Sequence, residues 1–186
     1  YPALTNTDEF DGTNWTSVNV MPAGRGELGG FGILTAGVAF GGGPPYTDGS
    51  SASYEYDGTN WASGGTMPGG KKSEPGGSGT LTAGLAIGGH GPGNAATDAC
   101  FEYDGTNWTA GGSMPHAFSN VAASQNGTQT SAMVFTGYVS PPNEYSTDAF
   151  SYDGSSWSTT ASVSTGRKLA AGGGTGTTGI VSAGKG

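Results

Sequence analysis

The sequence predicts an all-β chain made of four repeated units, and three observations carry that expectation. The motif Asp-Gly-Thr-Asn-Trp recurs at 11–15, 57–61 and 104–108, with Asp-Gly-Ser-Ser-Trp at 153–157. At a near-constant distance after each Trp, a short run of apolar or small residues stops at Gly41-Gly42, Gly88-Gly89, Thr136-Gly137 and Ala183-Gly184. Before each Asp-Gly the residues alternate, and nowhere does a 3.6-residue apolar stripe compete. The Trp-to-Trp steps are 46, 47 and 49 residues, and the step across the chain ends is 44, so the repeat is circular in phase over the 186 residues. A period of this length points to a repeat architecture in one closed domain.

Each unit reads as four strands. The first is Gly-rich, over 29–33, 76–81, 120–126 and 169–175. The second, seen in Leu34 to Phe40, Leu81 to Ile87 and Ala132 to Phe135, is short and apolar and ends at the Gly stop. The third carries Asp8, Tyr54, Phe101 and Phe150 at one offset, then Glu9, Glu55, Glu102 and Ser151, then Phe10, Tyr56, Tyr103 and Tyr152. A period of two sends the aromatics to one face and the Glu set to the other, where solvated rim charge is expected. The Asp-Gly that follows supplies the positive φ of a tight hairpin, and Trp opens the returning fourth strand. A segment with Met-Pro at Met21, Met67 and Met114, and with Val163 in the fourth unit, then leads to Arg25, Lys71, Phe118 and Arg167, each ten residues after its Trp.

Four antiparallel four-stranded units around an axis make a β-propeller, and a ring of so few blades needs small residues on its innermost strands. Gly29-Gly30, Gly76-Gly77, Ala122-Ala123 and Gly172 to Gly174 supply them. The expected blades are 27–65, 75–112 and 118–162, with a fourth built two-plus-two from 168–186 and 1–20, which closes the ring and covers its edge strands. An eight-bladed ring of two chains and an excerpt of a longer array stay open as rivals.

This pattern resembles the kelch repeat over essentially the whole chain. The residues that carry the likeness are Met21-Pro22, Arg25, Gly41-Gly42, Tyr56 and Trp61, while the third unit departs with Phe118 for Arg and Thr136 for the first Gly. It is also similar to Gly-rich kelch-like arrays of marine bacteria and of phage fibre-like proteins. The resemblance implies partner binding through one loop face, on an extracellular or virion surface. A kelch-type propeller can carry copper chemistry, as in galactose oxidase, but the Tyr, Cys and His set this needs is not recognisable here.

Composition narrows the function classes. With 6 Lys+Arg against 14 Asp+Glu the net charge is −8, which repels a nucleic-acid backbone. No apolar run reaches the length of a membrane span, so no membrane insertion is expected. The lone Cys100 makes no intrachain disulfide and is expected to be a buried thiol. The start at Tyr1 leaves room for a leader or a larger parent chain.

Trp15, Trp61, Trp108 and Trp157 recur once per unit and are expected in the core between blades. His90 and His116 do not form a metal-ligand spacing with the single Cys, so no metal, cofactor or catalytic set is expected. Strand direction places the inter-blade loops and the loops after strand two on one face. That face is expected to carry Arg25, Lys71, Lys72, His116, Phe118, Arg167 and Lys168, with Tyr46, Asp48, His90, Asn94, Tyr138 and Tyr145. Replacing Arg25, Lys71 and Arg167 by Ala is expected to abolish an anionic partner's binding and leave stability nearly intact. The function expected is a non-enzymatic adhesion or assembly module contacting a protein or glycan, in a homo-oligomer or a larger chain. The second reading is a lectin-like propeller, and the third is an enzyme.

Overall fold

A computed structural model describes residues 2–43, 49–71, 75–139 and 144–186. Lys72, Tyr46 and Asp48 of the expected loop face lie outside these residues. The chain opens with a hairpin, β1 (Asp8–Phe10) and β2 (Trp15–Ser17). Three meanders follow: β3 (Gly26–Ile33), β4 (Ala36–Gly43), β5 (Ser50–Tyr56) and β6 (Trp61–Lys71); then β7 (Gly76–Thr80), β8 (Ala83–Ile87), β9 (Cys100–Tyr103) and β10 (Trp108–Ala110); then β11 (Ala122–Ala123), β12 (Ala132–Val139), β13 (Glu144–Tyr152) and β14 (Trp157–Thr159). A second hairpin, β15 (Ala171–Gly174) and β16 (Gly179–Ser182), ends the chain. Each meander is one antiparallel four-stranded sheet in sequence order, so the architecture is all-β and β-propeller-like. The first blade runs further than expected, because β6 continues through Met67-Pro68 to pair Lys71 with Ser50.

The turns form for the reason the motif suggested. In all four Asp-Gly hairpins the Asp carboxylate, in Asp11, Asp57, Asp104 and Asp153, accepts the backbone N–H groups two and three residues on. The same bonds hold these carboxyls below their ordinary range, Asp153 at about 2. The following Gly takes φ between 92° and 97°.

The blade expected from both chain ends is corrected. β1–β2 and β15–β16 stand as separate two-stranded sheets, and among the described residues no strand pairing joins them into a fourth blade. The N-terminal hairpin lies against the first full blade and the C-terminal hairpin against the third. At the latter contact the Phe135 ring sits where a side chain on Gly179 would have to go. Ala122, Phe135 and Ala149 form the buried cluster there, with Ala170 and Val181 packed on it.

Larger clusters fill the two interfaces between full blades. Phe31, Phe40, Met67, Phe101, Tyr103 and Trp108 pack between the first and second. Leu85, Ile87, Cys100, Met114, Phe118, Phe150 and Trp157 pack between the second and third. The innermost strands meet backbone to backbone, and a side chain on Gly77 would strike the Gly30 carbonyl.

Candidate functional site

The Glu set is corrected first. These carboxylates are not solvated rim charge; each accepts the phenol of the next blade. Tyr56 Oη donates to Glu9 Oε1 at 2.5 Å, Tyr103 Oη donates to Glu55 Oε1, and Tyr152 Oη donates to Glu102 Oε1 at 2.5 Å. The Glu9 bond and burial push the Tyr56 hydroxyl up to about 12, and burial with the Glu55 bond pushes Tyr103 up to about 12. Burial and Glu102 raise Tyr152 in the same sense. All three phenols therefore stay protonated donors at neutral pH. The signal was in the sequence, because Glu and Tyr recur together at fixed offsets, but only spatial proximity shows that they meet across blades.

A second tie runs beside the first. Trp61 Nε1 donates to Thr7 Oγ1 at 2.9 Å, Trp108 Nε1 to Ser53 Oγ at 3.0 Å, and Trp157 Nε1 to the Gly112 carbonyl at 3.0 Å. Trp108 and Trp157 are buried as expected, whereas Trp61 is half-buried and Trp15 is 72% exposed. The core expectation fails for Trp15 because no full blade packs on its outer side.

The basic face is corrected as well. Lys71 is 1% exposed, and its ammonium donates to the Gly88 and Ala99 carbonyls at 2.7 and 2.8 Å, over the Phe101 ring. Burial pushes its pKa down to about 8. Phe118 is fully buried at the same repeat position and stacks on Phe150. Arg25 bonds Tyr54 Oη at 3.0 Å over the same ring. Arg167 donates to the Thr165 and Ala183 carbonyls. In the three full blades this position is a plug against the first ring of strand three, so Lys71 and Phe118 present nothing to a ligand. Cys100 is buried, and burial pushes its thiol up to about 12, which leaves it inert.

What remains on the loop face gathers around the third blade. Lys168 Nζ lies 4.8 Å from the Tyr138 ring centroid and 5.7 Å from that of Tyr145, and the two rings are 6.0 Å apart. This brings an inter-blade residue against the adjoining ends of β12 and β13, as strand direction implied. His116 Nδ1 contacts Asp148 Oδ2 at 2.9 Å, a partner the sequence reading did not single out. His90 bridges Ala96 within its own loop. Among the described residues no three His, Cys, Asp or Glu side chains group to hold a metal ion.

The inner strands line a cleft of about 180 Å³ between Leu28–Gly30, Pro75–Gly77, Val121–Ala123 and Ala170–Gly172. Its lining offers backbone groups and small side chains, with Gln125 the one polar side chain longer than a methylene or two, and no titratable group. Such a lining can donate and accept hydrogen bonds but cannot exchange protons at neutral pH.

No family model matches the chain, and no curated protein matches it. The solved structure titled "Structure of YjhT" shares the architecture with a TM-score of 0.72 at 14% identity, covering 93% of this chain and 70% of that one. At that identity the likeness is one of fold: this chain has the blade arrangement of a longer protein.

Proposed function

We propose that this chain is a non-enzymatic binding module, a kelch-like propeller that contacts a protein or glycan on an extracellular or virion surface through the loop face of its third blade. The observation that carries the reading is the Tyr138, Tyr145 and Lys168 group, where two aromatic rings and a cation sit together at the adjoining ends of β12 and β13. Aromatic rings with one polar end give large contact area at low entropic cost. The chemistry of the other ionisable groups supports binding over catalysis: Glu55 and Glu102 are engaged by phenols, Lys71 by carbonyls, and Cys100 is a buried neutral thiol.

The lectin-like reading is favoured by the ring pair itself, since a sugar face stacks on tyrosine. A glycan array and a capture screen against surface proteins separate the two readings. In either case Tyr138→Ala with Tyr145→Ala should weaken the captured ligand at least about tenfold, about 1.4 kcal/mol, with the melting temperature little changed. A ligand that binds the double variant as well as the parent chain removes this site from the account.

A further inference from the structure

We infer that the two terminal hairpins are halves of one blade completed between two copies of this chain, β16 of one copy pairing with β1 of the next and Asp8 meeting Arg167 across the joint. The repeat supplies the template. In every full blade the second strand pairs with the third, as β4 with β5, β8 with β9 and β12 with β13. The C-terminal hairpin holds the first two strand positions and stops at Ala183-Gly184, and the N-terminal hairpin holds the third and fourth. Each has the edge that the other lacks.

Two sets of substitutions match across this joint. The plug position faces the first ring of strand three: Arg25 faces Tyr54, Lys71 faces Phe101 and Phe118 faces Phe150. For the split blade the plug is Arg167 and the strand-three position is Asp8, the one carboxylate ever found there. A cation and an anion thus replace a cation and an aromatic ring. The cross-blade tie changes in step. Where Glu9, Glu55 and Glu102 accept from Tyr56, Tyr103 and Tyr152, the remaining pair is Ser151 with Phe10. Carboxylate and phenol disappear together, so completion of the blade buries neither an unpaired carboxylate nor an unpaired phenol at that joint.

The apolar surface points the same way. Trp15, Phe10 and Ile180 are exposed, whereas Trp108 and Trp157 at the corresponding fourth-strand position are buried. A second copy is the partner assigned because, among the described residues, the two hairpins of one chain form separate two-stranded sheets with no strand pairing between them. That copy meets the open edge without altering the filled interfaces between blades. The contact is head to tail, so it closes as a ring or continues as a filament according to the rotation.

Mass is read by sedimentation over a concentration series. The parent chain should associate as concentration rises, and Asp8→Arg or Arg167→Asp alone should each weaken association at least about tenfold by setting like charges face to face. An equimolar mixture of the two variants should restore it, because each junction between unlike chains again pairs Arg with an acid. Restoration on mixing cannot arise from closure within one chain. Arg167 also holds two carbonyls, so circular dichroism checks that variant, and Trp15→Ala, at an exposed site, provides a second variant that should weaken association without touching the fold. A parent chain that stays single at every concentration, or a mixture no better than its components, overturns the proposal. The proposal rests on the blade pattern and not on Tyr138 and Tyr145, whose ligand binding is read separately in the same variants.

Discussion

Trp108→Ala is expected to lower the free energy of unfolding by about 3 to 5 kcal/mol, the range for truncating a large buried aromatic. The indole lies 4.6 Å from Tyr103, 5.6 Å from Phe40 and 6.1 Å from Phe31 by ring centroids, and donates to Ser53 Oγ. Its removal opens a cavity between the first two blades and takes away the indole N–H from Ser53 Oγ, which keeps its own bond to the Gly65 carbonyl. Urea titration measures the loss. In dilute solution Trp15→Ala, the same substitution at the same repeat position, should change stability by no more than about 0.5 kcal/mol, as at other exposed sites. Equal losses in the two variants would mean that the N-terminal hairpin is packed like a full blade.

Lys71→Ala is expected to cost about 3 kcal/mol, from a cavity over Phe101 and from the loss of the ammonium's bonds to the Gly88 and Ala99 carbonyls, of which Ala99 keeps the Gly88 N–H. The effect should depend on pH with a definite sign. The folded pKa is about 8 against an ordinary 10.5, so between these values the unfolded chain binds the proton that the folded chain has released. Stability from this residue therefore rises with pH across that window. The gap between the parent chain and Lys71→Ala should widen from pH 8 to about pH 10. A gap of unchanged size would show that the ammonium is not desolvated, and a variant as stable as the parent would return Lys71 to the binding surface.

The blades were legible in the sequence because they rest on local rules. Asp-Gly with its following Thr-Asn or Ser-Ser encodes the hairpin and alternation encodes the third strand's two faces, whereas the Gly stop ends strand two in β8 but not in β4 and β12, which run through it to Gly43 and Val139. Phase across the ends anticipated a strand pair at each end of the chain, and the structure has a hairpin at both. It could not say whether they pair within one chain, because that depends on the angle that Phe31, Phe40 and Trp108 set between blades, a property of packing and not of periodicity. The site was read less well, for one reason in three guises. Lys71, Phe118 and the Glu set were placed by loop and face alone, yet a charged or aromatic residue that recurs at one offset in each unit can serve the repeat as readily as a ligand. Lys71 neutralises carbonyl dipoles, Phe118 fills the same space with a ring, and Glu55 accepts a phenol. Tyr138 and Tyr145 do not recur at one offset in each unit, and with Lys168 they are the group left partly exposed.

The account depends on an array tied blade to blade by Trp and Tyr–Glu bonds, with its ends incomplete in the single chain. Oxidative footprinting of the four tryptophans, read by mass spectrometry at concentrations where the chain is monomeric, tests this most directly. The expected order of modification is Trp15 fastest, Trp61 next, and Trp108 and Trp157 protected, following their exposures. A monomer in which Trp15 is as protected as Trp108 would contradict the account and establish a ring closed within one chain.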